Sequence, residues 1–362
     1  MRLTNTQQAF LELVRVGLWA GDESTDLGTE SLVWDKVYQF AAEQSVVGLV
    51  LAGVEHANVK LPQELRLQWI GEAQILEQQN LTMNKFIRDL FKRLLDANIN
   101  AVLIKGQGVA QNYGNPLWRS CGDIDLLMDS ENYEKAKALL IPMSDHVETE
   151  NKVKKHQGLY IKDFLIELHG AMPFMLSEKV DKVVDKVIDK VNTDNTDGTG
   201  YLLNVAVPKA DEHLMIVFTH FLHHFFIEGV GLRQICDRCM LLWRFRSELD
   251  LRVLESRINK AGLKTEWQVF GAMAVEYLGM PKDAMPMYDS RYKVKGERVL
   301  ERILKSGNMG HNNDLSYRSK YSGLTYKLVA LWRRIKDFTG FTMIFPVDAP
   351  KFFVYYVLAK IK

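Results

Sequence analysis

The sequence predicts an α+β protein in which a small mixed-sheet core of about one hundred residues is flanked by N- and C-terminal helical regions. Three observations predict it. Apolar residues recur every three or four positions as far as about residue 98. Short β-prone runs broken by glycine then take over, and the helical period returns after Pro208. At 362 residues the chain exceeds what one small core organises, so we read three units: a helical region over 1–98, an α/β core over 99–205, and a helical region over 206–362 that ends in a basic, aromatic tail.

In the first unit "LPQELRLQWIGEAQILEQQNLTMNKFIRDLFKRLLDANIN" repeats at three and four, with Pro62 in the first turn, where a missing N–H costs nothing. In the second, "AVLIKG" is a strand that ends in glycine, "QGVAQNYG" a helical turn closed by Gly114, and "DIDLLM" a second strand. "ENYEKAKALLIPM" returns to helix with Ser130 as its N-cap. "GLYIKD" and "FLIELHG" are adjacent strands around a turn near Asp163. "VDKVVDKVIDKV" places Val180, Val183, Val184, Val187, Ile188 and Val191 on one face, as a docked amphipathic helix does, and "NTDNTDGTG" reads as a loop. The third unit is helical through "DEHLMIVFTHFLHHFFIEGVGLRQICDRCMLLWRF" and "ESRINKAGLKTEWQVFGAMAVEYLGM".

Composition narrows the function classes. With 47% hydrophobic and 25% charged residues the chain is globular, and a net charge of +1 carries no global argument for nucleic acid or membrane. The first twenty residues lack a secretory pattern, so a cytoplasmic location is expected. Three cysteines make no disulfide framework, and "CDRC" has no second CxxC to complete a zinc site, so Cys236 and Cys239 read as core residues. Pro346, Asp348, Pro350 and Lys351 cut the apolar C-terminal stretch into pieces too short for a transmembrane segment.

The chemistry lies in "WRSCGDIDLLM". Side chains alternate along a strand, so Asp123 and Asp125 point one way and Ile124 and Leu126 pack the other way. Adjacent carboxylates repel unless a cation sits between them. Mg²⁺ takes hard oxygen ligands, commonly one or two carboxylates plus substrate phosphates. Lys105-Gly106 ends the preceding strand, Arg119 lies four residues upstream of Asp123, and Glu167 sits in an apolar strand that can run beside the first. A third carboxylate there would complete a two-metal site.

The set "LIKGQGVAQNYG...LWRSCGDIDLLM...FLIELHG" resembles the DNA polymerase beta-like nucleotidyltransferase superfamily, and within it the bacterial group of uncharacterised nucleotidyltransferases. The resemblance implies a nucleotidyltransferase core in which Asp123 and Asp125 hold both of two Mg²⁺ ions, with Mn²⁺ as a substitute, and Glu167 is the third carboxylate and a candidate base. It implies an NTP donor, with Gly106 approached by the triphosphate and Lys105 or Arg119 balancing its charge. The chain departs from the superfamily in Gln107, where Ser is usual, in the long interval from Gly106 to Asp123, and in Gly122 before the first aspartate.

His169 shares the face of Glu167 and reads either as a strand-end histidine or as a substrate contact. His220 and His224 are one helical turn apart without an obvious third zinc ligand. Arg233 and Asp237 have the spacing of an i, i+4 ion pair, while the resemblance makes His224 and Arg233 wall residues of the cleft. The tail from Arg318, with nine basic and two acidic residues, reads as a helix packed by its aromatics, a nucleic-acid surface, or a peripheral membrane contact.

The expected activity is transfer of an NMP from an NTP to a small-molecule or protein acceptor, with pyrophosphate release and nucleic acid disfavoured as acceptor. A D-x-D glycosyltransferase and a non-catalytic nucleotide-binding scaffold are the alternatives. Against the scaffold, idle carboxylates in an apolar sheet cost stability, so removing both aspartate charges is expected to leave melting equal or higher.

Overall fold

The computed structural model describes residues 3–19, 33–57, 59–310, 312, 320 and 322–361. Four helices open the chain: α1 (Asn5–Trp19), α2 (Trp34–Glu43), α3 (Val47–His56) and α4 (Gln63–Asp96). Pro62 stands one position ahead of its expected place, as the N-cap of α4. The core follows with β1 (Val102–Leu103), α5 (Gln107–Ala110), β2 (Asp123–Leu127), α6 (Ser130–Leu140), β3 (His146–Val147), β4 (His156–Ile161) and β5 (Phe164–His169). The sheet order is β1-β2-β5-β4-β3. Only the β2–β5 pair is parallel. That pairing is what brings the aspartate strand against the glutamate strand.

Helix α7 (Glu178–Thr193) is amphipathic as expected, with Ser177 as its cap and Val180, Val184, Val187, Ile188 and Val191 buried. Two local expectations are corrected. Asp129, not Ser130, caps α6: its extended backbone lets the carboxylate accept from Asn132 N, and its negative charge suits a helix N-terminus. The polar run after α7 is not all loop, because β6 (Asn195–Asp197) pairs with β7 (Ala206–Pro208) in a two-stranded ladder. Its exposed polar side chains hide the strand, which its backbone ladder to β7 defines.

The C-terminal region contributes α8 (Ala210–Ile227), α9 (Leu232–Arg244), α10 (Leu251–Ala261), α11 (Lys264–Tyr277), α12 (Lys293–Ser306), α13 (Gly323–Thr342) and α14 (Asp348–Ile361). Helices from both ends share one apolar core: Phe10, Leu13 and Val50 join Phe218, Phe226, Trp267 and Ile303. A second core lies between one sheet face and α4 and α6, where Ile124, Leu126 and Ile166 meet Ile87, Leu94 and Tyr133. The 34-residue α4 serves both, with Trp69 in the first and Met83 onward in the second.

The beginning of the basic tail, at Arg318, lies outside the described residues. Beyond it, Phe341 and Phe352 pack on α8, with ring centroids 5.0 Å from Phe225 and 5.1 Å from Phe226 respectively. No helix among the described residues is long and apolar enough to cross a membrane. Cys236 and Cys239 are buried free thiols in α9, and Cys121 is a free, half-buried one.

Glycines set how closely the N-terminal helices approach each other. A Cβ at Gly53 would stand 2.0 Å from Leu13 O on α1, and one at Gly48 2.2 Å from Trp118 O, on the segment leading into β2. A Cβ at Gly71, in α4, meets nothing within 4 Å. We therefore expect Gly53→Ala to lower stability by about 1–3 kcal/mol through overpacking. Gly71→Ala should raise it by about 0.4–1 kcal/mol by restricting the unfolded chain. Urea midpoints read both changes, and equal responses would contradict the close packing of α1 on α3.

Candidate active site

Parallel register sets Asp125 opposite Glu167 and Leu127 opposite His169. Alternation along β2 adds Asp123 to the same face, and oxygens of Asp123, Asp125 and Glu167 lie within 4.8 Å of one another. Asp125 is completely buried, whereas Asp123 and Glu167 are half-buried. Lys105 Nζ stands 2.6 Å from Asp125 Oδ1, and His169 Nε2 donates to the same oxygen at 2.9 Å. Asp125 Oδ2 is buried and has no hydrogen-bond partner among the described residues.

The electrostatics follow from this crowding. Asp125 and burial together push the Asp123 carboxyl up, against the pull of Lys105. Burial alone would also push Glu167 up, but His156, His169 and Lys105 hold it well below the usual carboxylate range. Burial opposes the charge on Lys105, yet Asp125, Asp123 and Glu167 outweigh it and raise the ammonium. His169 is raised in the same way, by Asp125 and Glu167 against burial. A buried carboxylate oxygen without a donor, beside a carboxyl held up by its neighbour, is an arrangement a hard divalent cation would relieve, so the three acids fit such an ion.

Gly106 turns the chain out of β1 with φ 53°, in the left-handed region, and a Cβ there would stand 3.1 Å from Asp123 O. Any larger residue would strain the turn and press on the aspartate strand. A cleft of about 180 Å³ opens over these residues, walled by Val217, His220, Phe221 and His224 of α8, Arg233 of α9, and Met309. His220 Nε2 lies 2.8 Å from Lys105 Nζ. Burial, with Lys105 and His224 beside it, pushes this imidazole well below its ordinary value, so it accepts from the ammonium. His224 Nε2 is 3.1 Å from His220 Nε2, and its Nδ1 meets Glu228 at 2.8 Å. The His220–His224 pair is therefore engaged with Lys105 and Glu228.

Other expected site residues are placed differently. The i, i+4 pairing of Arg233 with Asp237 does not form among the described residues. Instead Arg119 grips Asp237 through both carboxylate oxygens, at 2.7 and 2.6 Å, and Tyr113 donates to the same carboxylate at 2.7 Å. Arg119 is 8% exposed, so its charge is spent inside the protein. Arg233 donates to Ser120 O at 2.8 Å, while its buried Nε has no partner among the described residues.

Gln107 turns away from the cleft. It donates at 2.7 Å to Asn80 on α4, and Asn80 in turn donates to the carbonyls of Leu117 and Arg119 at 2.6 and 3.0 Å. Asn80, Tyr113, His156, His220 and Asp237 thus brace the site, and the sequence reading assigned none of them to it. Helical spacing points to His220 and Asp237, though with other partners, and Asn80, Tyr113 and His156 carry no local signal.

The fold and this acidic face are compatible with a nucleotidyltransferase-type core. The chain belongs to the family described as uncharacterised nucleotidyltransferase, whose model matches residues 30–279. No curated protein and no solved structure matches the chain. The matched segment runs from the N-terminal helices through the sheet to α11 and includes the α8–α9 wall of the cleft.

The two aspartates are not equivalent, which revises the expectation that both charges can be removed at no cost. Asp125 holds Lys105 and His169, whereas at Asp123 repulsion and burial outweigh the pull of Lys105 and Arg233. Because folding raises the Asp123 pKa, its ionisation costs stability once pH rises above the unfolded value of about 3.9. In EDTA at pH 7, Asp123→Asn should melt at or above wild type, with the gap closing as pH falls towards that value. Asp125→Asn should melt below wild type, since it strips the buried ammonium of its nearest counter-charge. Thermal melts across pH check both, and a large loss in Asp123→Asn without metal would contradict the assignment.

Proposed function

We propose that the protein is a divalent-metal-dependent nucleotidyltransferase that moves an NMP from an NTP to a small-molecule or protein acceptor and releases pyrophosphate. The convergence of Asp123, Asp125 and Glu167, with one buried Asp125 oxygen unpartnered, carries this reading. These three side chains would hold Mg²⁺, or Mn²⁺ in its place. A bound ion there would polarise the phosphoryl oxygens and lower the pKa of an oxygen nucleophile.

In the reaction an acceptor oxygen bonds to the α-phosphorus while the bond from that phosphorus to the β-phosphate oxygen breaks. The protein's own groups supply charge and position. Lys105 faces the cleft between Asp125 and the neutral His220, where its ammonium can meet a triphosphate. Arg233, with an unpartnered Nε, is the second cation for that task, and it replaces Arg119, which Asp237 occupies. Gly106 leaves the backbone bare where phosphate would approach. His169 fixes the orientation of Asp125. Glu167, whose carboxylate converges with those of Asp123 and Asp125, is assigned to metal binding.

The acceptor classes follow from the walls of the cleft. Val217, Phe221 and Met309 are apolar, and the cations lining it reduce to Lys105 and Arg233 once Arg119 is paired. Long nucleic acids need a run of phosphate contacts. A small molecule or a protein side chain needs only the reacting oxygen at the α-phosphate. Membership of a nucleotidyltransferase family favours pyrophosphate over nucleoside diphosphate as product, and so disfavours the glycosyltransferase reading.

The test requires no knowledge of the acceptor. Each of the four NTPs is titrated with Mg²⁺ into wild type and Asp123→Asn while melting is followed. At least one NTP should stabilise wild type by about 2.7 kcal/mol at a hundredfold excess over Kd. The effect should need Mg²⁺ and disappear in the variant. Absence of a shift with every NTP in wild type would overturn the donor assignment.

A further inference from the structure

Beside the three carboxylates, the sheet carries a second convergence of ligand-type side chains, in which His156 joins Glu167 and His169 of the transfer site. His156 on β4 and His169 on β5 stand directly opposite in the antiparallel register, with ring centroids 4.9 Å apart. Both Nε2 atoms lie 3.5 Å from Glu167 Oε2. The two imidazoles and the carboxylate each bring one donor atom within 4.8 Å of the other two.

The spacing favours a metal over a simple hydrogen-bonded cluster. At 3.5 Å both histidine–glutamate contacts sit at the outer limit of hydrogen bonding; the shorter bond of His169 Nε2, 2.9 Å to Asp125 Oδ1, is one whose proton a bound ion would displace. Donor atoms on a tetrahedral ion with bonds of about 2.0–2.2 Å stand roughly 3.4 Å from one another, close to the separation found. The set is also open to entry: the side chains of His156, Glu167 and His169 are 28%, 23% and 10% exposed. Gly158 pairs opposite Glu167. A Cβ at Gly158 would stand 2.3 Å from Glu148 Oε2, so a further carboxylate lies over that glycine at the rim of the cluster.

Donor chemistry separates this cluster from its neighbour. Asp123, Asp125 and Glu167 offer oxygen only, the choice of Mg²⁺ or Mn²⁺, whereas two imidazoles with one carboxylate suit borderline transition ions. We propose that His156, Glu167 and His169 form a distinct binding site for a Zn²⁺-class ion, with a fourth position open to water or to a substrate oxygen. Glu167 has two carboxylate oxygens and is shared between the two sites. His169 is shared as well, through its bond to Asp125, but binding of the ion does not depend on nucleotidyl transfer.

Co²⁺ is the probe, because its visible absorption reports nitrogen ligation in low-coordinate geometry, and tag-free protein removes competing histidines. Metal-free wild type, Asp123→Asn, His156→Gln and His169→Gln are titrated, and circular dichroism checks that each is folded. Wild type and Asp123→Asn should each bind one Co²⁺ with visible bands that one equivalent of Zn²⁺ bleaches. Either histidine variant should bind at least about tenfold more weakly. Failure of this site stays distinct from failure of the donor site, because Co²⁺ is titrated without nucleotide and read by its own absorption. Retention of wild-type Co²⁺ affinity in both histidine variants, or its loss in Asp123→Asn alone, would place the ion on the aspartates and overturn the proposal. Lack of Co²⁺ binding in wild type at micromolar concentration would do the same.

Discussion

Repulsion among Asp123, Asp125 and Glu167 is the constraint around which the middle of this protein is arranged. Two unit charges 4.8 Å apart, the upper bound on the oxygen separations within the triad, repel by roughly 3.5 kcal/mol at an effective dielectric of about 20. The surrounding side chains oppose that repulsion only in part. Lys105 and His169 both lean on one oxygen of Asp125, His156 and His169 hold Glu167 ionised, and Asp123 is left with its carboxyl pushed up. A fold that merely needed a sheet would have placed valine or leucine at these positions, at a saving of several kcal/mol. The residual negative charge is what a bound divalent cation would relieve.

That site is held from three directions. The sheet supplies the carboxylates, α4 reaches the loop before β2 through Asn80, and α9 clamps the same loop through Asp237 and Arg119. The close approach of α3 to Trp118, permitted by Gly48, closes the remaining side. Helices from both ends of the chain share one apolar core, so movement of the α8–α9 wall would be felt in the N-terminal helices as well. This interdependence accounts for a family match that spans helices on both sides of the sheet as well as the acidic strands.

Much of this was legible in the sequence where the signal is local. The parity of Asp123 and Asp125, the glutamate inside "FLIELHG" and the valine face of α7 are periodicities of two or of three and four, and all three appear as read. What escaped has long reach or no side-chain signature. Arg119 meets Asp237 across 118 residues, and Lys105 meets His220 across 115. No spacing rule could prefer those partners to the nearer Arg233–Asp237 pair. Gln107 looked like a faulty phosphate-binding position because its partner, Asn80, sits in what read as an ordinary helix. The strand at 195–197 is exposed at every residue and carries no alternation at all.

The most direct measurement is a crystal structure of the protein with Mn²⁺ and a non-hydrolysable NTP, with the ion located by its anomalous scattering. The arrangement described here predicts an anomalous peak about 2.1–2.3 Å from carboxylate oxygens of Asp123, Asp125 and Glu167, with the triphosphate against Lys105, Arg233 and the backbone at Gly106. A triphosphate bound elsewhere, or an acidic face without an ion when the nucleotide is present, would contradict it.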